Sequence, residues 1–277
     1  MQDLTAEVLA TTAGAADGRV RTLLDALVRH LHAFVREVAP TEAEWAHGID
    51  FLTRAGQLCT PERQEFVLLS DVLGVTMLVD EVNRRGDTEA TENSVLGPFF
   101  RTQRPAVGNG SDISGGVPGV PLHVELTVRS AAGRPVPGAQ VDVWHSDGAG
   151  QYDVDVPGLD GAAAMRGLFT ADTQGRVWFS TIAPAAYPIP SDGPVGELMR
   201  AAGRSVVRPA HLHVRVEAPD HATVTSMLFR DDDPNLGSDP VFGVRDSLVA
   251  HFHRTDTADG PAERLSHEFV LDPLNRH

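Results

Sequence analysis

The hydrophobic periodicity of this chain changes once, and that change constrains the fold more than any other feature. From about Thr5 to Val82, apolar residues recur at helical spacing, as in VRTLLDALVRHLHAFVREVA and RQEFVLLSDVLGVTMLVDEVNRRG, which predicts amphipathic helices. From Pro121 onward, short alternating runs such as LHVELTVRS and HLHVRVEA are separated by turn residues. This pattern is typical of an antiparallel sandwich or barrel. The sequence therefore predicts an α+β fold with its helices on the amino-terminal side.

The segment between the two patterns, TENSVLGPFFRTQRPAVGNGSDISGGVPGVP, is rich in Gly, Pro, Ser and Asn. Such a composition is typical of a loop or a domain junction. We place the boundary at its centre, which gives a helical region over residues 1–105 and a β-sandwich domain over residues 106–277. One short helix is predicted inside the strand-rich part, at GPVGELMRAAGR.

Net charge narrows the choice of partners. The chain of 277 residues carries a formal charge of -15 and has a pI near 5.1. Nucleic acid and anionic membranes both require clustered positive charge, so we expect neither, whereas a small neutral or weakly acidic ligand fits. No run approaches the roughly 20 apolar residues of a membrane span, and the amino-terminal residues lack the pattern of a secretory leader. We therefore expect a cytoplasmic protein without membrane insertion.

The chain contains three His-x-His pairs: His30/His32, His211/His213 and His251/His253. Residues i and i+2 of a strand point to the same face, whereas on a helix they lie roughly 200° apart. The first pair falls in a helical pattern, and the third precedes an acidic segment rich in turn residues. We expect the first pair to be solvated or at the edge of the core, and the third pair to lie on the surface. Only the middle pair, in the strand RPAHLHV, is expected to direct two imidazoles at one ion.

The other candidate ligands are phenols. The single cysteine, Cys59, excludes an intrachain disulfide and a thiolate-rich metal cluster. The only two tyrosines, Tyr152 and Tyr187, each end a loop rich in Gly and Pro, DGAGQYDVDVPG and PAAYPIPSDG, and loops of this kind often carry function. A buried ring with its hydroxyl on a backbone carbonyl is the alternative for either one. Two imidazoles and two phenolates suit ferric iron better than zinc or calcium, because a phenol of pKa ~10 ionises near neutral pH only beside a strong Lewis acid.

At these residues the chain resembles the intradiol ring-cleavage dioxygenases, non-haem iron(III) enzymes that open catechols between their two hydroxyls. The resemblance covers nearly the whole length and rests on motifs in order: TENSVLGPFF, PVPGAQVDVWHSDGAGQYD, YPIPSDGPVGELM, RPAHLHV and DPVFGVRDSLV. Within the family, VLGPFF, HLH and SDPVFGVRDSLV are most similar to the hydroxyquinol 1,2-dioxygenases. Catechol and chlorocatechol 1,2-dioxygenases come next.

The resemblance implies one Fe(III) per subunit, bound by Tyr152, Tyr187, His211 and His213. It also implies two catalytic residues. Tyr187 would leave the iron to accept a substrate proton, and Arg208 would stabilise charge that develops on the ring, a role suited to a fixed guanidinium. The implied reaction joins O2 to hydroxyquinol and gives 3-hydroxy-cis,cis-muconate, which tautomerises to maleylacetate. Cleavage of catechol or a substituted catechol to a cis,cis-muconate is the alternative within the family.

The substrate pocket implied by the resemblance consists of Leu68, Asp71, Val95, Leu96, Gly97, Pro98, Phe99, Ile189, Pro190, Arg208 and Val241. Asp71 is informative because a carboxylate that faces a third ring hydroxyl would favour hydroxyquinol over catechol, although an exposed position on a helix surface is the alternative. Met227 departs from the family pattern, in which glutamine or histidine usually occupies this position near the iron. A thioether accepts hydrogen bonds weakly and donates none. We expect Met227→His to alter turnover far more than iron content.

The resemblance also concerns the helical amino-terminal region. It implies a homodimer formed through these helices and an apolar channel between them that holds phospholipid in several relatives, whereas a plain helical core is the alternative. Two functions of other classes stay open at this point. One is a non-catalytic β-sandwich binding module, and the other is a zinc hydrolase that uses His211 and His213 with a carboxylate. The zinc enzyme would be colourless, whereas tyrosinate bound to iron(III) gives a red to burgundy colour.

Overall fold

The computed structural model describes residues 3–60, 63–83, 89–102, 104–159, 161–257 and 260–274. The chain divides into two compact units, Met1–Arg54 and Ala55–His277. The boundary predicted at residue 105 stays a prediction, because a domain is defined by independent folding rather than by compactness alone.

The first unit is helical. It contains α1 (Leu4–Thr11), α2 (Gly18–Val38) and most of α3 (Glu42–Leu58). Asp17 accepts the Arg19 N–H at 2.7 Å and so caps α2, and Thr41 and Glu44 form a reciprocal capping pair at the start of α3. Helix α2 exposes a row of large apolar side chains: Val20, Leu23, Leu24, Leu27, Leu31, Phe34, Val35 and Val38.

The second unit contains α4 (Glu65–Val72), α5 (Val75–Asn83) and α6 (Pro194–Ala201). Gly74, at φ +72°, makes the turn between α4 and α5. Helix α6 is the short helix predicted from the sequence, and its Val195 N–H donates to the buried carboxylate of Glu65 at 3.1 Å. Within the described part of the chain, no helix is long and apolar enough to cross a membrane.

The strands of the second unit form two larger sheets and one small ladder. Their bounds are β1 (Pro121–Ser130), β2 (Gln140–His145), β3 (Arg166–Thr170), β4 (Arg176–Ile182), β5 (Tyr187–Pro188), β6 (Val207–Arg208), β7 (His211–Glu217), β8 (Val224–Arg230), β9 (Val249–Ala250), β10 (His253–Thr257) and β11 (Gly260–Leu271). Over the described ranges, one sheet has the order β10-β11-β1-β4, the second has the order β3-β2-β7-β8-β9, and β5 pairs with β6.

The predicted α+β sandwich is confirmed, but its sheets are mixed rather than purely antiparallel. Strand β1 runs parallel to β11, with Val124 opposite Leu265, and β8 runs parallel to β9. Alternation along a strand tells which face is buried and carries no information on the direction of its neighbours. Strands that are far apart along the chain, such as β1 and β11, can pair in either direction.

Alternating residues of the two sheets form the core between them. On β7, Leu212, Val214 and Val216 belong to this core, so His211 and His213 lie on the opposite face of the same strand. Both histidines are nevertheless buried. Strand β7 is central, hydrogen-bonded to β2 on one side and to β8 on the other, which gives the histidines a rigid support.

Candidate active site

The two histidines of β7 present their outer nitrogens to the same point. The Nε2 atoms of His211 and His213 lie 3.2 Å apart. His211 Nδ1 lies 2.7 Å from the carbonyl oxygen of Pro209, which can only accept, so Nδ1 carries the hydrogen and Nε2 carries a lone pair. Burial lowers the pKa of both imidazoles well below the ordinary value, and the neighbouring Arg208 cation lowers each further. Both rings are therefore neutral, which is the form in which an imidazole can bind a metal.

Tyr187 reaches this point from the small ladder. It is the direct partner of Arg208 across β5 and β6, and its hydroxyl oxygen lies 3.4 Å from His211 Nε2. Gly150, at φ +82°, passes so close that a Cβ there would lie 2.8 Å from the Tyr187 Cβ. The loop DGAGQYDVDVPG, which carries Tyr152, is thus in contact with Tyr187.

Tyr152 lies in this loop, and the Asp147 side chain stabilises the loop conformation. One carboxylate oxygen of Asp147 accepts the N–H groups of Ala149 and Gln151, each at 2.8 Å, in the manner of an Asx turn. The loop places the Tyr152 hydroxyl oxygen 3.2 Å from that of Tyr187. Burial, followed by the charge of Tyr187, raises the pKa of Tyr152 well above its ordinary value.

Four donor atoms therefore converge: the Oη atoms of Tyr152 and Tyr187 and the Nε2 atoms of His211 and His213. Neighbouring members are separated by 3.2, 3.4 and 3.2 Å. Two ligand atoms bound 2.0–2.1 Å from one ion at a tetrahedral angle lie roughly 3.3 Å apart. The set fits one metal ion, and it depends on phenols, because within the described residues no group of three His, Cys, Asp or Glu side chains could hold a metal.

Arg208 provides a buried cation beside these four atoms. Its Nη1 lies 3.4 Å from His211 Nε2, and its Nε and Nη2 donate to the two carboxylate oxygens of Asp239 at 3.0 and 3.3 Å. Burial opposes the charged form, but the charges of Tyr187 and Asp239 outweigh that effect and raise the Arg208 pKa. Arg208 therefore stays protonated.

Aromatic rings cover the cluster. Trp144 stacks on His213 with ring centroids 4.6 Å apart, and Phe99 stacks on Tyr152 at 4.0 Å. An ion pair holds the residue after Tyr152, since Arg166 donates twice to the buried Asp153, each time at 2.6 Å. The rings exclude water and so strengthen the electrostatic interactions inside the site.

Asp71 occupies a buried position on α4, so its alternative assignment to an exposed helix surface is wrong. Thr76 Oγ1 donates to one of its carboxylate oxygens at 2.6 Å. Burial raises the Asp71 pKa, while the hydrogen bond from Thr76 and the charge of Arg208 lower it in part. The helical pattern of the sequence did not exclude the surface, because an acidic residue is more often exposed than buried.

The remaining predicted pocket residues divide by burial. Val95, Ile189 and Val241 are buried, Leu68, Gly97, Phe99 and Pro190 are half-buried, and Leu96 and Pro98 are exposed. Gly97 and Phe99 contact the ligand cluster directly, because a Cβ on Gly97 would lie 3.1 Å from His213 Cε1 and Phe99 stacks on Tyr152. Met227 is fully buried and is the direct partner of His213 across β7 and β8. The roles assigned to these residues stay predictions.

The other two His-x-His pairs occupy different surroundings. His30 is exposed on α2, and His32 Nδ1 lies 3.0 Å from Thr5 Oγ1. The exposed His251 contacts the Asp231 carboxylate, and its ring meets that of His253 edge-on. His30 is exposed and His32 half-buried, as expected of solvated or core-edge residues, and His251 and His253 lie on the surface.

The sequence did not predict Asp239, which pairs with Arg208, or Trp144, which stacks on His213. Asp239 is one of many acidic residues, and a buried arginine requires a counter-charge without indicating which acid supplies it. Trp144 precedes His145 in a strand whose alternation places it on the same face as Asp142, so its stacking partner on β7 becomes visible only once β2 and β7 pair.

Two family models match this chain. The model described as "Dioxygenase" matches residues 96–273, and the model described as "Catechol dioxygenase N terminus" matches residues 17–91. The chain is 47% identical to a 6-chlorohydroxyquinol 1,2-dioxygenase of Cupriavidus pinatubonensis, over 98% of this chain and 97% of that protein. It is 44% identical to a hydroxyquinol 1,2-dioxygenase of Nocardioides simplex, over 98% of this chain and 95% of that protein.

Solved structures give a concordant result. The fold matches that of a hydroxyquinol 1,2-dioxygenase from Pseudomonas putida with a TM-score of 0.90 and 41% identity, covering 98% of each chain. It also matches a catechol 1,2-dioxygenase from Acinetobacter with a TM-score of 0.84 and 25% identity, covering 99% of this chain and 94% of that one.

Proposed function

Because the chain belongs to the intradiol ring-cleavage dioxygenases, we propose that it opens the ring of hydroxyquinol between adjacent hydroxyls with O2. The product is 3-hydroxy-cis,cis-muconate, which tautomerises to maleylacetate. The observation that carries the proposal is the buried convergence of two phenol oxygens and two imidazole nitrogens beside the Arg208 cation. The substrate is supported by the names of similar proteins, among them two hydroxyquinol 1,2-dioxygenases.

The proposed cofactor is one Fe(III) per subunit, held by Tyr152, Tyr187, His211 and His213. The donor set supports this choice, since two anionic phenolates match a strongly Lewis-acidic ion better than zinc. When bound, iron(III) would supply a Lewis acid that favours ionisation of the substrate diol.

Tyr187 and Arg208 are the proposed catalytic residues. The Tyr187 oxygen, between Tyr152 Oη and His211 Nε2, accepts a proton from a substrate hydroxyl. Arg208 then stabilises negative charge that develops on the ring, at a site where aromatic residues exclude water and make the cation more effective. Tyr152 would hold the metal without taking part in proton transfer, and its position is supported because Phe99 stacks on its ring and Arg166 fixes the adjacent Asp153.

The substrate pocket is proposed to contain the predicted set from Leu68 to Val241, with Asp71 as the residue that selects hydroxyquinol. Its carboxylate is buried and lies in the field of Arg208. A substrate hydroxyl that donates to a buried carboxylate satisfies it, whereas catechol, which lacks the third hydroxyl, leaves it without that donor. Cleavage of catechol or a substituted catechol is the alternative function.

A homodimer formed through the helical region is proposed on the evidence of the exposed apolar row of α2. A continuous apolar surface of this kind marks an interaction site. Phospholipid bound between such helices is the second part of this proposal. The molar mass in solution and mass spectrometry of an organic extract test the two parts separately. The cytoplasmic location expected from the sequence stays a prediction, to be tested by cell fractionation.

The purified protein tests the iron site by its colour and metal content. We expect stoichiometric iron and a broad visible absorption band that gives a red to burgundy colour. Tyr152→Phe and Tyr187→Phe should each weaken that band, whereas the matched change His251→Asn, in a surface His-x-His pair, should leave it unchanged. A colourless protein with full iron content would disprove binding by tyrosinate.

Oxygen uptake tests the reaction and its substrate. Hydroxyquinol, catechol, chlorocatechols and protocatechuate are compared at equal concentration, with identification of the ring-opened acids. We expect hydroxyquinol to give the highest kcat/KM. A preference for catechol would establish the alternative function, and protocatechuate as the best substrate would contradict both.

A further inference from the structure

Among the described residues, a carboxylate pairs with the Arg208 guanidinium along one edge, formed by Nε and Nη2. Asp239 accepts from Nε at 3.0 Å and from Nη2 at 3.3 Å, and Met227 Sδ, a weak acceptor, lies 3.3 Å from Nη2. The opposite nitrogen, Nη1, has one hydrogen-bond partner among the described residues, His211 Nε2 at 3.4 Å. Once the lone pair of His211 Nε2 binds the proposed iron, the Nη1 hydrogens can donate to a substrate instead.

The Asp239 carboxylate is itself fixed by a tight turn. The Gly243 N–H donates to the oxygen that accepts Arg208 Nη2, at 2.9 Å, and Phe242 N–H closes the turn on the Asp239 carbonyl at 3.2 Å. Phe242 has φ +57°, an uncommon conformation for a bulky residue that persists only when its surroundings enforce it. Ser94 Oγ donates to the Gly243 carbonyl at 2.9 Å and ties the turn to a different segment.

Gly243 is required for this arrangement. A Cβ at this position would lie 2.8 Å from Ser94 Oγ and 3.1 Å from both Arg208 Nη2 and Asp239 Oδ2. The turn thus packs its backbone directly against the Arg208–Asp239 pair. A guanidinium pressed against backbone on one side and paired along its Nε–Nη2 edge retains a single orientation.

We infer that Asp239 is the positioning residue that orients Arg208, with Nη1 aimed at the reacting substrate. The inference rests on the proposed function for the role of Arg208. Asp239 acts through Arg208, since among the described residues its carboxylate accepts hydrogen bonds from Arg208 and Gly243 and from none of the four proposed iron ligands. Its carboxylate also leaves the buried cation fully paired on the edge away from the substrate, which limits the cost of burying it.

Asp239→Asn tests the inference because it keeps the size of the side chain and replaces one acceptor oxygen by a donor. That NH2 group must face an N–H of Arg208, so one of the two hydrogen bonds between the side chains is lost. We expect kcat for ring cleavage to fall by about 10- to 100-fold, as for a misplaced catalytic group, with KM changed by less than about threefold. The iron content and the visible band should match those of the wild type.

A double-mutant cycle separates positioning from a general structural effect. In an Arg208→Ala background, Asp239→Asn should lower kcat by less than about twofold, because the group that it orients is gone. An equal loss of kcat in both backgrounds, a parallel loss of iron, or full activity of the single variant would each overturn the inference. The matched control is Glu263→Gln. It removes one of the two buried hydrogen bonds that Arg230 donates to Glu263 and should leave kcat unchanged.

A second variant covers the case in which Asp239→Asn does not fold. Gly243→Ala inserts a methyl group against both Arg208 and Asp239. The same double-mutant cycle with Arg208→Ala applies, and the same outcomes support or overturn the inference. Failure of the proposed function would appear in the wild type, as a protein that binds no iron and cleaves no diol. In that iron-free protein, a slowly exchanging Arg208 Nε–H resonance that is lost in Asp239→Asn would support the pairing, and its persistence would contradict it.

Discussion

The indole of Trp144 lies nearly parallel to the imidazole of His213, with ring centroids 4.6 Å apart and planes 11° apart. The two residues are direct partners across β2 and β7. His213 Nδ1 is buried and has no hydrogen-bond partner among the described residues. Metal-binding histidines usually donate their second N–H to an acceptor, which fixes the ring. The ring of His213, a proposed iron ligand, is instead supported by its stack on Trp144.

Trp144→Leu should therefore weaken iron binding, by roughly 10-fold or more, as expected when a supporting contact of a metal ligand is lost. Iron retained after dialysis against a graded chelator measures the effect, at a temperature where the variant is folded. Trp178→Leu is the control, since Trp178 lies on β4 and is 41% exposed. Equal iron retention in the two variants would show that the stack is dispensable.

Gly97→Ala should damage the site more than it damages the fold. Gly97 has φ +75° and its Cβ would lie 3.1 Å from His213 Cε1, so the methyl group displaces the imidazole. Gly133→Ala is a matched control, at φ +73° with open space around its Cβ. Both variants should lose about 1 kcal/mol of unfolding free energy from the backbone conformation. Only Gly97→Ala should lose iron and turnover, and unimpaired iron binding there would contradict the contact.

Asp71→Asn should change the choice of substrate. Thr76 can still donate to the amide oxygen, so α4 keeps its local hydrogen bond, but the negative acceptor is gone. A hydrogen bond to a charged acceptor contributes about 1.5–3 kcal/mol, so the ratio of kcat/KM for hydroxyquinol over catechol should fall by roughly 10-fold or more. Asp80→Asn, on α5 and bonded to Asn93, should leave the ratio unchanged. An unaltered ratio in Asp71→Asn would remove Asp71 from substrate selection.

Met227→His should alter turnover far more than iron content. Met227 Sδ lies 3.3 Å from Arg208 Nη2, and an imidazole there would offer a stronger hydrogen-bonding partner to the same guanidinium. Met227→Leu keeps the volume without the sulfur and should change kcat by less than about threefold. Iron content and kcat are measured on the same preparations. A parallel loss of iron in Met227→His would show that the position is structural.

His145 should make stability depend on pH. Its ring is buried between the Ser146 carbonyl and Thr181 Oγ1, at 2.7 and 2.8 Å. Burial, with a contribution from the Arg166 charge, lowers its pKa to about 4. The unfolded chain, with the ordinary pKa of ~6.5, binds a proton first as the pH falls. The stabilisation that comes from the neutral His145 ring is therefore fully present above pH ~6.5 and is lost as the pH falls from there toward ~4.

Denaturant unfolding at pH 7 and pH 5 measures this dependence. His145 should account for about 2 kcal/mol of the decrease between these pH values. His145→Asn retains a donor for the Ser146 carbonyl and should unfold more easily at pH 7, with a smaller difference between the two pH values. The same difference in both proteins would assign the pH dependence to other groups.

The sequence predicted the positions of the candidate side chains well where local geometry decides them. Alternation along RPAHLHV places His211 and His213 on one face for any strand, and the two tyrosines stood out because the chain has no others. The sequence was less informative on neighbours. It predicted antiparallel pairing, whereas β11 runs parallel to β1, and it left Asp71 between a buried and an exposed position.

The amino-acid sequence by itself determined the order of helices and strands, the buried face of each strand and the residue types available as ligands, because these depend on periodicity and on side-chain chemistry. Only the tertiary structure decided which acid pairs with Arg208 and which ring supports His213. Asp239 is 31 residues from Arg208, and Trp144 meets His213 only through the pairing of β2 with β7. Contacts between residues distant along the chain are fixed by strand register and by loop conformation, and neither leaves a periodic signal in the sequence.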